Sequence, residues 1–260
     1  MFKCAYLVEI LTPKQSGHVA VDEGMNRFAQ RYRRIMASGS GVSIPDNPMG
    51  QPRFNALEAI HWSNLTVDPE RILVNLNTFH HKEELDNFLN TASTLGIKYL
   101  LIIRGDGGPR LPKLDQKQIG GTQSVTTSID LIRYINAEYA DVFVTGAAFN
   151  QYNPVSFETD RMKQKIEAGA KFIITQPVIA KDPNVDLLMD FNIPVVVEAW
   201  MSTNVDLLLK SVKKEKDRRA AEYDPNRNLT ILHAVYPQNC IYLSMLSFKL
   251  EWETILPRLH

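Results

Sequence analysis

Eight short, strongly apolar runs alternate with segments of helical spacing along this chain, and that alternation restricts its fold more than any other feature. The clearest run, residues 98–103, is too uniformly apolar to leave one face wet, as expected of a strand buried on both sides in a parallel sheet. Residues 3–11, 41–44, 71–78, 142–149, 171–175, 194–199 and 229–235 read the same way. Between them, residues 24–36, 55–62, 82–95, 129–137, 158–168, 186–191 and 203–213 are predicted helices, with a closing helix over 239–256. In the first helix Met25, Phe28, Tyr32, Ile35 and Met36 share one face, and Gly96 and Gly169 stand where helices should stop. Parallel strands need helical crossovers, and eight such units close without exposed edges. The chain is therefore predicted to be α/β, a single (β/α)8 TIM barrel over residues 1–260, a length close to the ~250 residues such barrels use. A doubly wound open sheet is the competing architecture.

The formal net charge is zero, so no global field draws the chain to nucleic acid or to an anionic membrane. Its two cysteines, Cys4 and Cys240, lie far apart in sequence without CxxC spacing, which argues against a disulfide framework or structural zinc and suits a reducing cytoplasm. The first residues are too soon interrupted by charge for a signal peptide, and no stretch approaches membrane-spanning length. GxGxxG, Walker, HExxH and GxSxG patterns are absent, and His80, His81 and His233 have no metal-ligand spacing, so no metal is expected. The charge run over 210–219 contains both signs and reads as a solvated helix end.

In a barrel all strand ends face one cup, so Glu9, Asp46, Asn77, Asp106, Asn150, Gln176, Glu198 and His233 are expected to converge. A carboxyl at an apolar strand end, such as Glu9, is desolvated and suited to donate a proton; the structural alternative is an interior Glu paired with a basic residue. The run 104–108, Arg-Gly-Asp-Gly-Gly, lets backbone approach a ligand, or is a solvated turn with an Arg–Asp pair. Gln176 offers a donor and an acceptor together, the pattern that reads an amino-pyrimidinone edge, or it ties down the rim. The long polar segment 109–124 is a candidate lid.

At these residues the chain resembles the methylenetetrahydrofolate reductase family. The matching stretches are Val8-Glu9-Ile10-Leu11-Thr12-Pro13, the LGIKYLLIIRGD run ending at Asp106, Ala147-Ala148-Phe149, and Lys165-Ile166-Glu167-Ala168-Gly169-Ala170-Lys171-Phe172-Ile173-Ile174-Thr175-Gln176. The resemblance implies a (β/α)8 barrel holding FAD that reduces the methylene bridge of a reduced folate to a methyl group with electrons from NAD(P)H. It implies an acid role for Glu9, a place beside flavin and folate for Asp106, and a pterin contact for Gln176. Phe149 and Glu198 join Gln176 and Asp106 as expected substrate contacts. Pro45, Asn77, Arg104, Gly105, Asp106, Phe149, Asn153, Arg161 and Lys165 are the expected cofactor contacts. The chain departs from the family where Leu76 replaces a strand-three His, where Phe149 and Asn153 replace Tyr and His, and where Arg161 and Gln164 precede Lys165. From residue 181 onward the resemblance fades. These departures leave three further readings open: direct hydride transfer from nicotinamide, a methanopterin carrier, and a non-catalytic folate-binding barrel. The last would work with a redox or one-carbon partner subunit, and a homo-oligomer fits any of them.

Overall fold

Eight parallel strands close a barrel in chain order, each hydrogen-bonded to the next and the last to the first. The computed structural model describes residues 2–15, 20–212 and 223–244. The strands are β1 (Tyr6–Glu9), β2 (Gly41–Ile44), β3 (Ile72–Leu76), β4 (Tyr99–Ile102), β5 (Val144–Phe149), β6 (Phe172–Thr175), β7 (Val195–Trp200) and β8 (Ile241–Ser244). The helices are α1 (Val21–Ala37), α2 (Ala56–Trp62), α3 (Lys82–Thr94), α4 (Ser128–Glu138), α5 (Val155–Glu167), α6 (Pro183–Asp186), α7 (Val205–Ser211) and α8 (Pro225–Val235). The barrel topology thus holds, and the open sheet does not.

Strand alternation divides the core in two. Leu7, Leu73, Tyr99, Phe172, Ile174 and Val196 point inward and fill the barrel, whereas Val8, Val42, Ile72, Val74 and Ile173 point outward beneath the helices. Phe172 is fully buried in the interior, and burying a side chain of that kind contributes about 1.5–3 kcal/mol. The helices meet the outer layer with the faces their spacing predicts: α1 buries Met25, Phe28, Tyr32 and Ile35. At the start of α2 the Asn55 side chain accepts from the Glu58 amide at 2.9 Å while the Glu58 carboxylate accepts from the Asn55 amide at 2.7 Å, a reciprocal cap.

The eighth unit differs from expectation. Residues 229–235 are not a strand but the body of α8, and β8 lies at 241–244, inside the stretch predicted as the closing helix. In α8 the buried residues Leu229 and Leu232 are followed by buried Tyr236, a helical spacing, and Asp224 caps the amides of Asn226 and Arg227 ahead of Pro225 in the first turn. All four residues of β8 are buried. His233 therefore leaves the cup: it sits on α8 with its Nε2 2.6 Å from the Tyr6 hydroxyl on the outer face. The remainder of the predicted closing helix and residues 213–219 of the charge run lie outside the described residues. Among the described residues no helix is long and apolar enough to cross a membrane.

Candidate active site

The strand ends open into one cup, and its acidic centre is built by β1, β7 and β8. Glu9 ends β1 pointing inward, two residues beyond Leu7. Tyr242 lies opposite Leu7 on one side and opposite Glu198 of β7 on the other, which places its ring between the two acidic strands. The Tyr242 hydroxyl donates to Glu9 Oε2 at 2.7 Å. Burial, reinforced by the charge of Glu9, pushes the Glu198 carboxyl well above its ordinary range, and a hydrogen bond to Ser244 only partly opposes this. Tyr242 is likewise raised, by burial first and then by both carboxylates. Arg53, in the loop after β2, feels Glu9: burial lowers its pKa and Glu9 opposes the shift.

Gln176 follows β6 in the inward series Phe172 and Ile174, so its side chain belongs to the cup. Its backbone is clamped by Gln151, a residue that sequence reasoning missed. Gln151 is 3% exposed, accepts from the Gln176 amide at 3.1 Å and donates to the carbonyls of Gln176 and Pro177 at 2.8 and 3.2 Å. Tyr152 adds a 2.6 Å bond to the Pro177 carbonyl. Cutting this clamp takes the side-chain donor from the Gln176 carbonyl, while the Gln176 amide keeps the Phe149 carbonyl and the Pro177 carbonyl keeps Tyr152. Gln151→Ala is expected to raise the KM of a ligand read by Gln176 by about tenfold, the effect of ~1.4 kcal/mol, with a smaller change in kcat. Steady-state kinetics check this, and an unchanged KM would sever the link.

On the opposite rim, Asp46 organises the ends of β2 and β3. Its Oδ2 accepts from the Asn77 amide at 2.9 Å and meets His80 Nε2 at 2.6 Å, and its carbonyl accepts from Asn77 Nδ2 at 2.9 Å. Burial draws the His80 pKa down, but the hydrogen bond and charge of Asp46 outweigh it, so the imidazole titrates above its ordinary value. With Asn77 Oδ1 also accepting from the Phe79 amide at 2.7 Å, the Asn77 side chain is committed to the rim. Asp106 is exposed, and its Oδ2 accepts from the Met49 amide at 2.7 Å, joining the loop after β4 to the loop after β2. Arg104 is exposed beside it. The segment predicted as a lid is pinned at Leu114, which is buried and whose amide donates to the Thr78 carbonyl at 3.1 Å.

The remaining predicted contacts are dispersed. Phe149 is buried on the outward face of β5 among the helices, so its side chain does not line the cup. Asn153 donates to buried Glu158 at 2.7 Å. Lys165 donates to the Ala148 carbonyl at 2.6 Å, and burial lowers its pKa to about 8, with Glu158 opposing the shift and Arg161 adding to it. Arg161 lies over the Phe157 ring at 5.6 Å. Leu76 faces the helices, and the position of β3 that faces the cup is Asn75.

The sequence family described as methylenetetrahydrofolate reductase matches residues 3–196. The chain belongs to the methylenetetrahydrofolate reductase family. A Schizosaccharomyces pombe protein named methylenetetrahydrofolate reductase 2 is 34% identical over 186 residues, covering 66% of this chain and 27% of its own length. A Zea mays protein named methylenetetrahydrofolate reductase (NADH) 1 is 26% identical over 189 residues, covering 67% of this chain and 30% of its own. The chain thus spans less than a third of the curated relatives it matches. Among solved structures, a 2,3-dimethylmalate lyase of the PEP mutase/isocitrate lyase superfamily superposes over 96% of this chain and 79% of its own with a TM-score of 0.52 at 9% identity, a likeness of fold.

Methylenetetrahydrofolate reductases raise the question of a flavin, and the cup can be tested for one. Among the described residues four buried side-chain polar atoms lack a hydrogen-bond partner, Thr12 Oγ1, Ser43 Oγ, Arg53 Nε and Asn75 Oδ1, and all belong to β2, β3 or the segments after β1 and β2. Buried polar atoms left without partners are costly unless a polar ligand or water completes them. Inward-facing Ser43 and Asn75 fit the donor and acceptor edge of a ring system such as isoalloxazine or a pterin. Among the described residues no three His, Cys, Asp or Glu gather as a metal site.

Proposed function

We propose that this member of the family reduces the methylene bridge of 5,10-methylenetetrahydrofolate to a 5-methyl group. The observation that carries the reading is Glu9, a partly exposed carboxyl at the mouth of the barrel, bonded to Tyr242 and sharing the cup with Gln176. Gln176 would orient the pterin through its amide. Glu9 would protonate the bridging nitrogen: its O–H bond breaks, an N–H bond forms, and the methylene C–N bond breaks toward that nitrogen, leaving an electrophilic iminium carbon. Holding donor and acceptor in one cup replaces a bimolecular encounter with a local one.

FAD would be held at the cup by Asn75 and Arg104; when bound it would supply the hydride that the iminium carbon accepts. The names of the maize relative and of a Caenorhabditis elegans relative, the latter labelled NADPH, support a reduced nicotinamide as the electron source. The family match stops at residue 196, before Glu198 and β8, which favours a second reading in which a methanopterin takes the place of folate. Turnover with the two carriers in parallel, following the 5-methyl product by mass spectrometry, separates them. The folate reading expects product from methylenetetrahydrofolate, and product from the methanopterin alone would replace it.

A further inference from the structure

Glu198 is a second carboxyl at the acidic centre, and β8 ties it to the first. Tyr242 bonds Glu9 directly and lies in register with Glu198, while Ser244, two residues further along β8, favours the charged form of Glu198. Tyr242 and Ser244 are 3% and 8% exposed, so little water separates the two acids on the β8 side. Both carboxyl residues keep a partial opening. Tyr152, in the loop after β5, feels Glu198, and Arg53, in the loop after β2, feels Glu9. The Ser43 hydroxyl, in register with Glu9 and fully buried, lies on the same inward face without a hydrogen-bond partner.

Two carboxylates close together in a poorly hydrated site do not both ionise at neutral pH; they titrate as a unit and one proton stays. The Tyr242 hydroxyl donates to Glu9 and ties the first acid to the strand that lies beside the second. We propose that Glu198 is a positioning residue that keeps one proton on the Glu9–Glu198 pair, so that Glu9 meets substrate able to act as an acid. When the pair gives up that proton, an O–H bond breaks as the substrate N–H bond forms, and solvent at the cup restores it after product leaves. The kinetic part of this inference rests on the folate reading; the part concerning the resident proton does not.

Glu198→Gln tests it, because the amide keeps the shape and removes the titrating group. At pH 7 the infrared spectrum of the wild-type protein should show the C=O stretch of a protonated carboxyl that Glu198→Gln lacks. The sign for stability follows from linkage: a carboxyl raised in the folded state favours folding at low pH and loses that advantage as pH rises from the unfolded value near 4.5 toward the folded one. Glu198→Gln should flatten this fall and raise Tm near pH 8 by about 2–4 °C. In turnover, the alkaline limb of kcat should move to lower pH by at least one unit with KM unchanged, and Glu198→Asp should restore part of it. An unchanged infrared signal and Tm profile would overturn the proposal whether or not the protein reduces folate. Absent turnover beside a lost infrared signal would instead count against the folate reading alone.

Discussion

Glu9→Gln is expected to lower methylenetetrahydrofolate reduction by about 10²–10⁴-fold, the range that a positioned general acid contributes. The substitution is close to isosteric, and the glutamine Oε1 still accepts from Tyr242, so the 2.7 Å contact to β8 and the barrel seam persist. Folate affinity should change little if, as proposed, Glu9 acts on the bridge nitrogen during the reaction while Gln176 orients the pterin. Parallel measurements of kcat and of folate Kd decide this. Turnover within a few-fold of wild type would remove Glu9 from the acid role, and a collapse of affinity would make it a binding residue.

Gly50→Ala is expected to have the largest effect on the rim. Gly50 has φ +65°, and a Cβ there would overlap the carbonyl of Gly107, so an alanine is strained and must also push backbone from backbone. The left-handed conformation alone costs an L-residue roughly 1–2 kcal/mol. Separating the two loops would further break the bond from the Met49 amide to Asp106. Gly39 provides the matched control: it has φ +77° with nothing within 4 Å of a built Cβ, so Gly39→Ala isolates the conformational cost. At about 2–4 °C of Tm per kcal/mol, Gly50→Ala should fall further than Gly39→Ala and should alone weaken ligand binding. Equal losses in the two variants would show that the contact between the rim loops carries no energy.

The barrel was legible because its strands are short apolar runs and its helices show their faces, as α1 does with Met25, Phe28, Tyr32 and Ile35. The eighth unit was not, because Thr230, Ile231 and Val235 give α8 a β-branched look while β8 supplies only four residues of signal. The Asp224-Pro225 helix start was the clue that outweighed it. Losing β8 also hid Tyr242 and Ser244, and with them the link between Glu9 and Glu198. Residues at strand ends could be nominated because topology gathers strand ends in one cup, and His233 left that set when its strand became α8. Phe149 was expected to touch substrate and cofactor, but Val144 packs inward on β5 and Phe149, at the opposite parity, turns outward. Gln151 had no local signature at all: its value lies in three bonds across to the end of β6, and pairings of that kind are invisible in one sequence.

One measurement tests the central claim most directly: the visible spectrum of the protein with FAD, followed anaerobically through NAD(P)H and then methylenetetrahydrofolate. The account predicts protein-shifted flavin bands that bleach with NAD(P)H and return when methylenetetrahydrofolate is added, with 5-methyltetrahydrofolate formed in equal amount. A bound, reduced flavin that methylenetetrahydrofolate fails to reoxidise would contradict it.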